Sequence, residues 1–245
     1  MKKLLILSML ALLLLGLSIQ NQTLSAAAEK EKTQFYSWSN DLGRQPNDPP
    51  YLTLHYRLRT MYFSIDLHDE HPLVFLGDSI TDEGEWDKLF PNSSAENRGI
   101  GGDSTLGLLK RLDQVITLHP SKIFLMIGTN DLCYNRSIKD TLANYNQILA
   151  ELRVNLPNTQ VYVQSVLPFN DTIFPSRGLR TNSNILQLNA GIKKLASQYN
   201  YPYIDLVPAF SGLDGRLPAQ YTRDGLHLDD SGYQLWRDQL KPMIR

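Results

Sequence analysis

Cysteine is nearly absent from the chain: the 245 residues contain one, Cys133. No disulfide can therefore form within the chain, and the fold must be stabilised by the burial of apolar side chains. With 42% hydrophobic and 20% charged residues, the composition is that of an ordinary globular protein. A lone cysteine is most often a small buried apolar residue, and we expect this role for Cys133.

An excess of basic residues is also missing. The chain has 24 Lys and Arg residues against 25 Asp and Glu residues, a formal net charge of −1. The basic residues are scattered singly, without the patch that binding to a phosphate backbone requires. Nucleic acid is therefore not an expected partner.

Clusters of metal-ligating residues are scarce. Residues 66–71 (Asp-Leu-His-Asp-Glu-His) combine histidines and carboxylates densely enough to bind a metal ion. The segment precedes Pro72 and leads into a strand, so a solvated loop is the favoured interpretation. We expect neither a metal nor a cofactor.

Long apolar runs are confined to the N-terminus. Residues 1–28 combine a Lys2-Lys3 start, an apolar run at 4–17 and small residues up to Ala28. This pattern predicts a signal peptide cleaved near Ala28, and hence a secreted or periplasmic protein. A retained membrane anchor is the weaker alternative because the apolar run is short for a membrane span. No stable membrane span is expected after processing.

The rest of the chain divides into a polar, proline-bearing lead-in segment at 29–50 and one folded domain at 51–245. Apolar runs in the domain alternate between strand and helix patterns, without an internal repeat. This alternation predicts a three-layer α/β/α, flavodoxin-like domain with a doubly wound sheet of about five parallel strands. Strands are predicted at 73–76, 95–98, 122–127, 161–166 and 203–206, and helices at 52–65, 82–90, 106–116, 138–155, 185–199 and 231–243.

Ser79 follows the first predicted strand, after Gly77 and Asp78. In such a sheet the ligand crevice lies outside the carboxyl ends of the strands, so a serine here suits a nucleophile. The alternative is ordinary strand-to-helix chemistry, with glycine in the turn and Asp78 or Ser79 as the helix cap. The tripeptide by itself favours the alternative, so the neighbouring strand ends decide.

Two of those strand ends carry candidate hydrogen-bond donors. The glycine-rich loop at 99–102 allows a backbone N–H to approach a ligand closely. Its rival interpretation, a dinucleotide-binding loop, is weak because Ser104 replaces the third glycine or alanine. Asn130 follows the strand at 122–127 and either directs its side-chain amide into the crevice or caps a helix.

Asp224 and His227 lie in the loop before the last helix. A carboxylate three residues before a histidine can accept the imidazole Nδ1–H and leave Nε2 to take a proton from a hydroxyl. An isolated surface histidine is the alternative. Because parallel strands bring their carboxyl-end loops to one edge, Ser79 and His227 are expected to meet across the sheet.

The four motifs occur in a recognisable order: Gly77-Asp78-Ser79, the loop at 99–103, the segment at 128–131, and Asp224 with His227. Together they resemble the sequence blocks of the SGNH (GDSL) hydrolase superfamily over residues 72–240. The loop at 97–103 and the Leu179-Arg180 stretch are similar to its platelet-activating-factor acetylhydrolase type. The resemblance implies Ser79 as nucleophile, with Asp224 and His227 completing the triad. It also implies an oxyanion hole formed by the N–H groups of Ser79 and Gly102 and the side chain of Asn130.

The resulting hypothesis is a secreted serine esterase that hydrolyses short acyl esters of a carbohydrate or lipid. Alternatives with the same triad are an acyltransferase and a lysophospholipase or thioesterase; a non-catalytic flavodoxin-like binding module is the least favoured. Loops 131–137 and 169–180 should border the crevice. They contain Tyr134, Phe169 and Phe174 but no long apolar stretch for an alkyl chain, which favours acetyl-like substrates.

Overall fold

Five strands form a single sheet in which every pairing is parallel. In the computed structural model of the protein, the described residues are 47–65 and 71–244, which belong to the unit Asn40–Arg245. A second unit, Met1–Ser39, lies outside the described residues, as do the predicted signal peptide and most of the lead-in segment.

The bounds of the elements follow the predicted alternation closely. The strands are Leu73–Gly77 (β1), Ala95–Gly99 (β2), Lys122–Met126 (β3), Gln160–Gln164 (β4) and Tyr203–Ile204 (β5). The helices are Leu54–Ile65 (α1), Ser79–Asp82 (α2), Trp86–Leu89 (α3), Thr105–Leu109 (α4), Asp113–Ile116 (α5), Thr129–Cys133 (α6), Ile138–Asn155 (α7), Asn182–Gln198 (α8), Val207–Phe210 (α9) and Asp230–Ile244 (α10), with a 3₁₀ turn at Ala219–Tyr221.

The strand order is β2-β1-β3-β4-β5. The chain moves outward from β1 to β2 and then returns to the other side of β1 to form β3. Ligand crevices in open α/β sheets lie at such a reversal, beyond the carboxyl ends of the two strands. The segments that follow β1 and β3 are those that carry Ser79 and Asn130.

Alternate residues of each central strand face two separate cores, which confirms the three-layer α/β/α architecture. On one face, Val74 and Leu76 of β1 pack with Tyr145 of α7 and Leu188 of α8. On the other face, Leu73 and Phe75 of β1 pack with two tryptophans. These are Trp86 of α3 and Trp236 of α10. Since both faces are covered, β1 and the interiors of β3 and β4 are apolar, whereas edge strand β2 is more polar.

Two predicted helices are interrupted. The helix predicted at 82–90 is wrong in its start, because Asp78 caps a helix that begins at Ser79, and α3 follows separately from Trp86. The helix predicted at 106–116 is divided into α4 and α5. The break contains Arg111, whose buried guanidinium binds backbone carbonyls at the ends of β1 and β2.

Other expectations concern single features. Cys133 is half-buried and not in the core, contrary to prediction. Within the part of the chain that the structure describes, no three His, Cys, Asp or Glu residues are grouped so as to hold a metal ion; residues 66–70 lie outside it. No helix among the described residues is long and apolar enough to span a membrane.

Candidate active site

The ends of three neighbouring strands lie level with one another. Gly77 of β1 pairs with Gly99 of β2 and with Met126 of β3. A Cβ atom at Gly77 would lie 2.3 Å from the Met126 carbonyl oxygen and 2.3 Å from Thr81 Oγ1, so only glycine fits there. The loops that follow these strands therefore begin at one edge of the sheet.

Ser79 is the first residue of α2 and is half-buried. Asp78 precedes it as the N-cap, and its Oδ1 accepts a hydrogen bond of 3.1 Å from the Ile80 N–H. The capping interpretation of this motif is thus correct for Asp78. It leaves the Ser79 hydroxyl free for another partner, and the Ser79 N–H belongs to the first helical turn, which has no intrahelical acceptor.

That partner is His227, 148 positions further along the chain. His227 Nε2 lies 3.1 Å from Ser79 Oγ, and His227 Nδ1 lies 2.7 Å from Asp224 Oδ2. The other carboxylate oxygen of Asp224 accepts the backbone N–H groups of Leu226 at 2.9 Å and His227 at 2.7 Å. The structure therefore joins the three predicted residues in one hydrogen-bonded chain.

The loop that carries His227 is stabilised by hydrogen bonds between its own residues. The Thr222 hydroxyl donates to the His227 carbonyl at 2.6 Å and accepts the Gly225 N–H at 2.8 Å. Phe174 of the loop 169–180 meets the imidazole edge-on, with 6.4 Å between the ring centroids. An ion pair between Arg223 and Glu83 connects the loop to the end of α2. These contacts hold the imidazole against the serine.

The interaction between Asp224 and His227 favours the ionised form of the carboxylate and makes the imidazole more basic. Burial by itself would raise the pKa of Asp224, but the hydrogen bonds and charge of His227 lower it to about 2. Burial by itself would lower the pKa of His227, but the hydrogen bond from Nδ1 to Asp224 and the charge of Glu83 raise it above the ordinary 6.5.

The two other predicted residues lie on the adjoining loops. Gly102 has a positive φ of 75°, which suits glycine, and no described residue accepts its N–H. Asn130, in the first turn of α6, is nearly buried and donates one amide hydrogen to the Asp103 carbonyl at 2.9 Å. A carboxamide carries two donor hydrogens, so the second is available to a ligand.

Several supporting contacts were not predicted, although the loop that carries Tyr134 was expected to border the crevice. Arg111 Nε donates to Asp103 Oδ2 at 2.8 Å while its two other nitrogens bind the carbonyls of Arg98 and Gly77. The Tyr134 hydroxyl donates to the Gly102 carbonyl at 2.8 Å. Asp103, the acidic end of the motif at 99–103, was visible in the sequence, but nothing there distinguishes its buried partner, Arg111, from an exposed arginine.

Beneath the site, buried carboxyl groups have raised pKa values. Burial raises the pKa of Asp78 to about 7, although the Ile80 N–H opposes the shift. Burial likewise raises the pKa of Asp103 to about 6, although the adjacent Arg111 opposes it. Both carboxyl groups favour the neutral form more than an exposed aspartate does.

Asp82, at the end of α2, links α1 to the glycine loop. Its Oδ2 accepts His55 Nε2 at 2.7 Å and the Gly101 N–H at 3.0 Å, and its Oδ1 lies 3.1 Å from Arg59 Nη2. Burial alone would raise the pKa of Asp82, but Arg59 and His55 lower it to about 2. The position of the Gly101-Gly102 backbone therefore depends on α1.

The arrangement suits proton transfer from a serine hydroxyl to an imidazole. Asp224 orients the ring, Nε2 faces the hydroxyl, and backbone and amide N–H donors lie on the neighbouring loops. A groove of about 600 Å³ lies elsewhere, near the starts of β1 and β3 at Leu73 and Lys122, and takes no part in this arrangement.

Residues 75–235 match the GDSL-like Lipase/Acylhydrolase family. The human platelet-activating factor acetylhydrolase IB subunit alpha2 is 29% identical over 178 residues, which cover 70% of this chain and 75% of that protein. A GDSL-like lipase structure from Bacteroides thetaiotaomicron has a TM-score of 0.65 and 26% identity, covering 77% of this chain and 96% of the other.

A structure from Streptococcus pneumonia, named as a platelet activating factor, has a TM-score of 0.71 and 26% sequence identity to this protein. The match covers 91% of this chain and 100% of the other. The family match spans well over half of the chain and includes Ser79 and His227. The protein therefore belongs to the GDSL-like lipase/acylhydrolase family and is a hydrolase that acts on ester bonds.

Proposed function

We propose that the protein is a serine esterase that hydrolyses short acyl esters of a carbohydrate or lipid through Ser79, His227 and Asp224. The observation that carries the proposal is the continuous hydrogen-bonded chain from Asp224 Oδ2 through the imidazole to Ser79 Oγ, with distances of 2.7 and 3.1 Å.

In the proposed reaction, Ser79 Oγ attacks the ester carbonyl while His227 Nε2 takes the hydroxyl proton. The N–H groups of Ser79 and Gly102 and the free amide hydrogen of Asn130 stabilise the oxyanion. The loss of one such donor typically costs about 2.7–4 kcal/mol of transition-state stabilisation. The imidazolium then gives its proton to the leaving alcohol, and water, deprotonated by His227, hydrolyses the acyl-enzyme.

Two observations favour a short acyl group. The Tyr134 ring lies beside the glycine loop through its hydrogen bond to Gly102, and Phe174 lies beside His227, so aromatic side chains border the reacting centre. Phe169, which the sequence also placed at the crevice, is fully buried in the core. The human relative is named an acetylhydrolase, which agrees with an acetyl-like substrate.

Replacement of the serine tests the mechanism. We expect Ser79→Ala to lower kcat on p-nitrophenyl acetate at least about 100-fold while Tm stays close to wild type, because the hydroxyl supports no core packing. Ser176→Ala, at an exposed serine of the loop 169–180, serves as the control and should keep full activity. A Ser79→Ala enzyme with more than a hundredth of wild-type kcat would contradict the assignment.

An ester series tests the substrate class. Each methylene in a pocket changes selectivity by about 1–3 kcal/mol, so a short site should separate acetyl from octanoyl esters strongly. We expect kcat/KM for p-nitrophenyl esters to be highest with acetyl or propionyl groups. A maximum at eight or more acyl carbons would overturn the short-acyl proposal and favour a lipase or lysophospholipase.

We also propose, on the pattern of residues 1–28, that the enzyme is exported to the periplasm or secreted. N-terminal sequencing of the protein from its native host should begin near residue 29; a mature protein that retains residues 1–28 would contradict cleavage.

A further inference from the structure

Arg180 ends the loop 169–180 and is a buried cation without a polar partner. Its exposed fraction is 2%, and no hydrogen bond or ion pair joins its guanidinium to any described residue. An arginine stays protonated in proteins. Burial of a charged group with an unpaired donor is unfavourable, and a ligand that accepts hydrogen bonds from the guanidinium would offset that cost.

The surroundings of Arg180 fix its position without satisfying its donors. Its Cζ atom lies 5.0 Å from the centre of the Phe174 ring and 5.6 Å from that of Phe169. These cation–π contacts hold the guanidinium plane but accept none of its in-plane hydrogen bonds. Of the three guanidinium nitrogens of Arg180, only Nε is fully buried. The two Nη groups therefore remain accessible to solvent.

Arg180 lies close to the proposed catalytic residues. Phe174, on which it packs, also contacts the His227 ring. The preceding residue, Leu179, donates its N–H to the Leu132 carbonyl at 2.8 Å, within the helix that carries Asn130. Burial lowers the pKa of Arg180 from its ordinary value.

We propose that Arg180 is a substrate-binding residue that takes an anionic oxygen group, a carboxylate or a phosphate, on the alcohol portion of the ester. The inference rests on the proposed short-acyl esterase function. An acetyl group offers one oxygen, its carbonyl, and the donors of Gly102 and Asn130 take that oxygen. The group that pairs with Arg180 therefore belongs to the alcohol.

Guanidinium binds carboxylate and phosphate oxygens through paired N–H donors, and the two Nη groups retain the donors for such a contact. The exposed Arg177 of the same loop provides a matched control, because it has the same charge but no enclosing aromatic rings among its described contacts. A purely structural role for Arg180, in which its ring contacts only hold the loop, would affect all esters alike.

The experiment compares three acetyl esters with one alcohol skeleton: acetylglycerol, acetylglycerol phosphate and acetylglycerate. For the wild type we expect kcat/KM to be at least tenfold higher for one of the two anionic esters than for the neutral ester. Arg180→Gln should lower that anionic-to-neutral ratio about 10- to 100-fold, mainly through KM, as expected for loss of a charge-assisted hydrogen bond. Arg180→Lys should retain part of the ratio, and Arg177→Gln all of it.

Comparison of acetylglycerol phosphate with acetylglycerate identifies whether the site binds a phosphate or a carboxylate. A wild-type ratio near one for both anionic esters would overturn the proposal, and this measurement does not require the variant to fold. An equal loss on all three esters in Arg180→Gln would also overturn it in favour of a structural role. If the wild-type enzyme hydrolysed none of the acetyl esters, p-nitrophenyl acetate included, the result would instead contradict the esterase function itself.

Discussion

In the proposed mechanism, His227 acts as a base only when its imidazole is neutral. Its hydrogen bond to Asp224 and the nearby Glu83 carboxylate raise its pKa above 6.5. Because the protonated ring cannot accept the Ser79 proton, we expect kcat/KM to rise with pH through a single step centred above about 6.5.

The measurement is kcat/KM for a short acetyl ester from pH 5 to 9. The reaction is monitored through acid release in a pH-stat, so that ionisation of a coloured product does not distort the measured rates. Asp224, with a pKa of about 2, stays ionised throughout and adds no second step. A profile that is flat between pH 5 and 8 would contradict a histidine base.

At the scale of elements, α1 is coupled to the glycine loop through Asp82. Asp82→Asn keeps the shape of the side chain but removes its charge, so it cannot satisfy His55, Arg59 and the Gly101 N–H together. We expect a lower Tm and a decrease in kcat of about tenfold or more with little change in KM, because displacement of Gly102 weakens oxyanion stabilisation.

Asp87→Asn, five residues further on and exposed in α3, is the control and should change neither quantity. The two enzymes should be compared at a temperature well below both melting midpoints, where each is folded. If Asp82→Asn then keeps the wild-type kcat, α1 has only a stabilising role and does not position the loop.

At the scale of the whole molecule, stability should depend on the ionisation of buried carboxyl groups. Asp78 has a pKa of about 7 in the folded protein against an ordinary value of 3.8. Below 3.8 it is neutral in both states and the folded state retains its full stability. As pH rises from 3.8 to about 7, the unfolded state loses the proton first, so stability falls.

Asp78→Asn cannot ionise, and its side-chain oxygen can still cap the Ile80 N–H. We therefore expect the Tm of Asp78→Asn relative to wild type to increase between pH 4.5 and pH 8. One pKa unit corresponds to 1.36 kcal/mol, and each kcal/mol shifts Tm by about 2–4 °C in a protein of this size, so the increase should be at least about 3 °C. A Tm difference that does not vary with pH would show that Asp78 is already ionised in the folded protein.

Most of the fold could be predicted because its signals are local. The predicted bounds of α7, residues 138–155, are those of the structure, since apolar periodicity and capping act within three or four residues. Asp224 and His227 were also recognisable as a pair, because they lie only three positions apart in one tight loop. The split at Arg111 was not predictable, since the side chain breaks the helix to reach carbonyls on two distant strands.

The sequence by itself determined the alternation of strands and helices, the glycines at strand ends, and the residue types that stand at the crevice. Only the tertiary structure decided that His227 lies 3.1 Å from Ser79, that Asp82 connects His55 to the glycine loop, and that Arg180 is enclosed without a partner. The physical reason is range: propensity, periodicity and caps act between near neighbours along the chain. Contacts between residues 19 to 148 positions apart exist only once the strand order has brought their loops to one edge of the sheet.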